Sequence, residues 1–214
     1  MELNKRLDQF FLNNSRILEK EVELAELDKN ETVLEIGAGD GRLTRLLSKH
    51  SNVVAIEIDR RFAPLLGKIS CKTIYGDALK IIPKLDFDKV VSNIPYSLSQ
   101  PILMALLKKK WKIAVLIVQK EFAQKLLEPG DKLYLVVNDC CNVAKIMDVP
   151  AGEFEPTAID SMMILLEQKK TMDDNFWMFL TSLFRHKNKV IKSLGKRPRH
   201  LTVEEAMTLF DKTI

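Results

Sequence analysis

The chain has 214 residues, 46% of them hydrophobic, and a formal net charge of +4. That is enough apolar material for a sizeable core, which excludes global disorder, and no run of about 18 uncharged apolar residues offers a membrane span. The charged opening MELNKRLDQF is not a signal peptide, and Cys71, Cys140 and Cys141 form neither a disulfide framework nor a metal-ligand spacing. A cytoplasmic protein with partly buried thiols and no metal is expected.

In chain order, the first 27 residues read as helical, with apolar Phe10, Phe11, Leu12, Ile17, Leu18 and Val22. TVLEIGAG (32–39) reads as a buried strand ending in glycines, and DGRLTRLLSKH as a helix. NVVAIEID (52–59) and RRFAPLLGKI repeat the pair, followed by a short strand and turn, KTIYGDAL. FDKVVSNIPY is the fourth strand and SQPILMALLKKK its helix; WKIAVLIVQ and KEFAQKLL are the fifth pair. Strands alternating with helices imply βαβ units and a parallel sheet.

The rhythm then changes. LYLVVNDCCNVAKIMDVP and AIDSMMILLEQ read as β-rich, with no long helix between them. They predict two final strands in a hairpin, giving a mostly parallel sheet with an antiparallel edge. That favours a class I methyltransferase sheet of seven strands. Beyond about residue 171, FWMFLTSLFRHKNKVIKSL and TVEEAMTLFDKTI have helical spacing around a basic turn, GKRPRHL. The expected division is a catalytic domain, 1–170, and a small basic helical domain, 171–214.

The chemistry concentrates at three strand ends. Gly37-Ala38-Gly39 turns the chain sharply and lets a ligand approach the backbone. Glu57 stands about 20 residues after Gly37, where a carboxylate accepts from ribose hydroxyls. Asp77, after the third strand, is placed to accept from an adenine amino group. With Gly37, Gly39 and Gly41 in place of GxGxxG, the set points to S-adenosylmethionine rather than a dinucleotide. Turn capping is the plainer alternative for each carboxylate taken alone.

Asn93-Ile94-Pro95-Tyr96 ends the fourth strand. The N6 amine of adenine is a poor nucleophile because its lone pair is delocalised into the ring. The Asn93 side-chain oxygen and a backbone carbonyl near Ile94-Pro95 offer two acceptors for it. Pro95 fixes its own φ and restricts Ile94, and Tyr96 offers a stacking face. The task is positioning and electrostatics, without a strong base.

At these residues the sequence resembles the KsgA/Dim-type rRNA adenine N6,N6-dimethyltransferases, in an archaeal-like form, and more distantly the Erm-type enzymes of large-subunit rRNA. QFFL (9–12), VLEIGAGDGRLT, AIEID, GDAL, NIPY, Gln119-Lys120-Glu121, Phe154-Glu155-Pro156 with Ile159-Asp160-Ser161, and LFRHKNKVIKSL carry the resemblance. It implies cofactor contacts at Gln9, Phe10, Leu12, Gly37, Ala38, Gly39, Glu57, Ile58, Asp77, Ala78 and Asn93. It also implies that Tyr96 and Phe154 sandwich a flipped adenine; the flanking Glu153 and Glu155 place Phe154 in a loop. Pro101 and the IDS triplet favour the small-subunit enzyme, whose partner is small-subunit rRNA on an immature ribosomal subunit.

Phe10 stands where the family has a small polar residue or histidine, so its contact is expected through the backbone. The C-terminal part is shorter than the family's. Its basic helix is expected to hold phosphates through Arg185, Lys187, Lys189, Lys192 and Arg197; a solvated face explains such a cluster about as well. Nothing demands more than a monomer. The competing readings are an Erm-type methyltransferase, a ribosome-assembly binding factor with secondary activity, and a methyltransferase of small-molecule amines.

Overall fold

The computed structural model describes residues 9–213; residues 1–8, part of the stretch read as helical, and Ile214 lie outside them. The described chain does not begin as a helix. Phe11–Leu12 is a short strand, β1, and the first helix, α1 (Ser15–Leu24), follows. Asn14 sets that boundary: its side chain accepts from the backbone N–H of Arg16 and Ile17, as an N-cap does.

Five parallel strands come next: β2 (Thr32–Ile36), β3 (Asn52–Glu57), β4 (Lys72–Tyr75), β5 (Lys89–Asn93) and β6 (Ile113–Gln119). The helices between them are α2 (Arg42–Leu47), α3 (Ala63–Leu66), α4 (Ala78–Ile81) and α5 (Ser99–Leu107). Two more, α6 (Lys120–Leu127) and α7 (Lys132–Cys140), lead to β7 (Cys141–Val149), β8 (Phe154–Glu155) and β9 (Ser161–Gln168). Helices α8 (Asp174–Phe184) and α9 (Val203–Asp211) close the chain.

The main sheet has seven strands in the order β4-β3-β2-β5-β6-β9-β7, and β1 pairs with β8 in a separate two-stranded sheet. The expected hairpin forms. Its antiparallel member is β9, one place in from the edge, between β6 and β7. The chain reverses its direction of travel across the sheet between β2 and β5, the place where open α/β sheets bind ligands at their carboxyl ends.

Each central strand is buried on both faces. Leu34 and Ile36 of β2 join the core under α5–α9, whereas Val33 joins the core under α1, α2 and Phe62. Likewise Ala114, Leu116 and Val118 of β6 face one layer, and Val115 and Ile117 the other. That is why these strands read as continuous apolar runs.

Two expectations are corrected. LYLVVNDC (133–140) belongs to helix α7, not to a strand, and β7 starts at the second cysteine, Cys141. Asp131 caps it by accepting from Leu133 N–H, and Leu133, Val136, Val137 and Cys140 are buried at helical spacing. The β-branched residues disguised that period. Cys140 and Cys141 are buried, and burial pushes their thiols up to about 11 and 12, so both are neutral packing groups.

The basic helix of the C-terminal part is also absent. Helix α8 stops at Phe184, and residues 185–197 run as turns with a single bridge between Ile191 and Lys196. Continued as a helix, Arg185 would face Lys189 one turn on, a like-charge pair, with little apolar surface to offset it. Helices α8 and α9 themselves pack on α7 through Phe176, Leu180, Ala206 and Phe210, which belong to the same core as the sheet.

Candidate active site

At the carboxyl end of β2 the chain turns through Gly37, Ala38 and Gly39. Gly39 has φ +53°, and a Cβ there would lie 2.6 Å from the Phe11 ring, so only glycine fits. Its N–H donates to Glu57 Oε2 at 2.7 Å, and Asp59 N–H donates to Oε1 at 2.7 Å. Glu57 therefore braces the loop and the start of the next turn. Each of its oxygens keeps a second lone pair for a ligand. Asp77 likewise caps α4 by accepting from Leu79 N–H through Oδ1. Capping and ligand acceptance coexist in both carboxylates.

Beneath the loop, Glu35 is buried. Burial pushes its carboxyl up to about 8, so it is neutral at physiological pH. At the rim, Gln9 Nε2 donates to Asp59 Oδ2 at 2.7 Å, and the Arg61 guanidinium holds that carboxyl well below the usual range. Arg42 donates to the Leu12 carbonyl at 2.8 Å and pins β1 across the cavity mouth.

All eleven residues expected at the cofactor, from Gln9 to Asn93, line this one cavity. Phe11, Glu35, Phe62, Leu98 and Ile102 line it as well and escaped the sequence reading. Phe11 had a usable signal, its place between two expected contacts. Phe62 and Ile102 read as ordinary helix-core residues.

A second, smaller pocket opens off the first. Asn93, Ile94, Pro95, Tyr96 and Phe154 line it, with Phe10 and Ile117. Strand β5 ends at Asn93, Ile94 N–H bonds to the Ile117 carbonyl at 3.1 Å, and Pro95 carbonyl accepts from Leu98 at 2.9 Å. The Tyr96 hydroxyl lies 2.8 Å from Ser161 Oγ at the start of β9, which fixes the ring's tilt. Asn93 Oδ1 is buried and has no hydrogen-bond partner among the described residues.

The ring arrangement departs from expectation in two ways. Phe154 is buried in β8 rather than standing in a loop, because β8 pairs with β1 (Leu12 opposite Phe154). Tyr96 and Phe154 meet edge to face, 6.5 Å apart and 77° between planes, not as parallel walls. The ring stacked on Tyr96 is Phe10, at 5.7 Å and 21°. Phe10 thus enters the pocket by its side chain, and the open space left there is only about 20 Å³.

The expected phosphate-holding residues Arg185, Lys187, Lys189, Lys192 and Arg197 are all exposed on the turn segment after α8. None lines either pocket. Among the described residues no helix is long and apolar enough to cross a membrane, and no cluster of three metal-ligating side chains occurs.

Similarity to known proteins follows the same lines. Residues 1–213 match the family described as ribosomal RNA adenine dimethylase. A probable ribosomal RNA small subunit methyltransferase A from Pyrococcus abyssi (strain GE5 / Orsay) is 36% identical, over 97% of this chain and 81% of its own. Among solved structures, a dimethyladenosine transferase from Plasmodium falciparum matches with TM-score 0.77 and 24% identity, covering 94% of this chain and 98% of its own. The 23S rRNA methyltransferase ErmE matches with TM-score 0.72 and 21% identity, covering 94% and 98%. Those two likenesses speak to the fold. The match over residues 1–213, with the relative at 36% identity, settles kinship: the chain belongs to the ribosomal RNA adenine dimethylase family.

Proposed function

We propose that the protein dimethylates N6 of two adjacent adenines in the 3′-terminal hairpin of small-subunit rRNA, with S-adenosylmethionine as methyl donor, on an immature ribosomal subunit in the cytoplasm. The observation that carries the reading is Asn93 Oδ1. A buried acceptor without a partner costs about 1–3 kcal/mol and calls for an explanation in function. Here it stands where both pockets meet.

The residues fit the donor. Glu57 offers lone pairs to ribose hydroxyls, Asp77 Oδ2 takes no part in the cap bond and has Lys80 Nζ at 3.9 Å, and Ile58, 55% exposed, offers apolar cover to a base. When bound, S-adenosylmethionine supplies a methyl group on a positively charged sulfur. Asn93 Oδ1 and the Ile94 carbonyl accept the two N–H bonds of the target amine, while the Pro95 carbonyl accepts from Leu98. Those bonds draw the nitrogen lone pair out of the ring and aim it at the donor. The methylated nitrogen sheds its proton readily to solvent, so no side chain need act as base. Tyr96 and Phe154 wall the base, one by its face and one by its edge. The exposed cations of 185–197 hold phosphates of the folded RNA.

The small-subunit names of close relatives support this substrate over the Erm-type one. The test supplies labelled donor with unmethylated small subunits, naked small-subunit rRNA and large subunits, followed by nucleoside analysis. Dimethyladenosine in small subunits alone is the expected result. Labelling of large subunits instead favours the Erm-type reading. No transfer despite cofactor binding favours an assembly factor.

A further inference from the structure

Helix α1 buries one face, made by Ile17, Leu18 and Glu21. Positions three and four after an apolar pair belong to the same stripe and ordinarily carry another apolar side chain. Glu21 occupies that place and is fully buried. A carboxyl group is costly there unless something compensates. Among the described residues no lysine or arginine pairs with it. Its Oε2 accepts from the Asn93 side-chain amide, Nδ2, at 3.5 Å, and Oε1 has no partner among the described residues.

From this contact we propose that Glu21 is the positioning residue for Asn93: by holding Nδ2 it fixes the amide's rotation and aims Oδ1 at the target amine. The inference rests on the role given to Asn93 above. An amide has two ends of nearly equal shape and opposite hydrogen-bonding sense. Turned over, Asn93 would present a donor to an NH2 group and repel it. Strand β5 fixes where the side chain starts, but nothing in the strand distinguishes the two rotations. Glu21 does, because a group that accepts from one end leaves the other facing the pocket. The unpartnered state of Oδ1 follows from that arrangement.

The charge state is compatible. Burial first, and then the nearby Glu35 carboxyl, push Glu21 well above the ordinary carboxylate range. The Oε2 that faces Asn93 accepts in either form of the carboxyl, the proton, when present, sitting on Oε1. Glu21 lines neither pocket, so it touches neither substrate and acts only through Asn93.

The test compares Glu21→Leu, which keeps the bulk and removes the acceptor, with Glu21→Gln, which keeps both. In the methyl-transfer assay, Leu is expected to lower kcat at least about tenfold with KM for S-adenosylmethionine unchanged, and Gln to restore it to within about threefold. In an Asn93→Ala background, Glu21→Leu should change nothing further. A second reading needs no turnover: NMR hydrogen exchange of the Asn93 side-chain amide, its signal identified by its absence in Asn93→Ala. Exchange is expected to be slow in the parent and in Glu21→Gln, and fast in Glu21→Leu. Equal exchange in all three, or a Leu variant with the parent's kcat, overturns the inference. Protected exchange in a parent that methylates no RNA leaves the positioning role standing and sinks the proposed function instead.

Discussion

The two pockets are built from different material. The cofactor side is largely main chain: a glycine loop, strand ends, and carboxylates already braced by backbone N–H groups. The base side is made of side chains delivered from three distant stretches, Phe10, Asn93–Tyr96 and Phe154, held together by the pairing of β1 with β8. A backbone cradle is fixed once its strands pair. A ring pocket depends on how separate segments pack, and single substitutions retune it. The largest mutational effects should therefore come from the groups at their junction, and the most adjustable ones from the rings.

Asn93→Ala gives the largest effect expected. It removes one acceptor that matters chiefly in the transition state, so kcat should fall by about 10²–10³-fold. Calorimetry should show cofactor affinity nearly unchanged. Unaltered turnover would dissolve the junction on which the comparison rests.

Glu35→Gln tests the cradle's foundation. In the folded chain Glu35 holds its proton up to about pH 8, whereas the unfolded chain releases it near the ordinary carboxylate value of 4.5. Between these the native state binds more protons, so stability falls as pH rises through that window. The group is buried, so the penalty above pH 8 amounts to a few kcal/mol. Glutamine removes that part of the slope, and Glu21, whose carboxyl burial also raises, leaves a remainder. Urea titrations at pH 5, 7 and 9 read it directly.

Glu57→Ala strips both the proposed ribose acceptor and the brace of Gly39. Cofactor binding should weaken by about 2 kcal/mol, roughly 30-fold, with the same change in kcat/KM for the donor. Reversing Lys187, Lys189 and Lys192 to glutamate touches neither pocket. RNA affinity should fall, and the salt dependence of log K should become shallower by about 2. An unaltered slope returns these residues to a solvated surface.

The same contrast explains what the sequence disclosed. The cradle was legible because its determinants are local: a glycine loop after an apolar strand, a carboxylate at the next strand end, another at the third. The five parallel strands were legible because burial on both faces writes itself as an apolar run. Helix α7 was not, since Tyr134, Val136 and Val137 carry strand propensity while the segment's burial follows a helical period, and tertiary packing decided between them. Arg185–Arg197 invited a helix by its lysines and arginines, but a helix needs an apolar face to bury. Phe154 read as a loop residue from its two glutamate neighbours; only its pairing partner, more than a hundred residues away, explains its burial. Glu21 escaped because a glutamate among charged neighbours looks like surface until the helix's buried face is known.

Phe10 carries the smallest expected effect and the sharpest test of the ring pocket. Its ring covers the face of Tyr96 at 5.7 Å. The remaining space, about 20 Å³, suits a water molecule rather than a purine. A base reaching Asn93 must displace that ring, and an aromatic pair of this kind is worth about 1 kcal/mol. Phe10→Ala removes the competitor. It should lower KM for RNA by about fivefold, and an oligonucleotide carrying 2-aminopurine at the target should bind correspondingly tighter, read by its fluorescence. If Phe10→Ala instead raises KM and lowers kcat, the ring stacks on the bound base and is part of the wall. The base pocket would then be as preformed as the cradle, and the contrast between the two halves would fail.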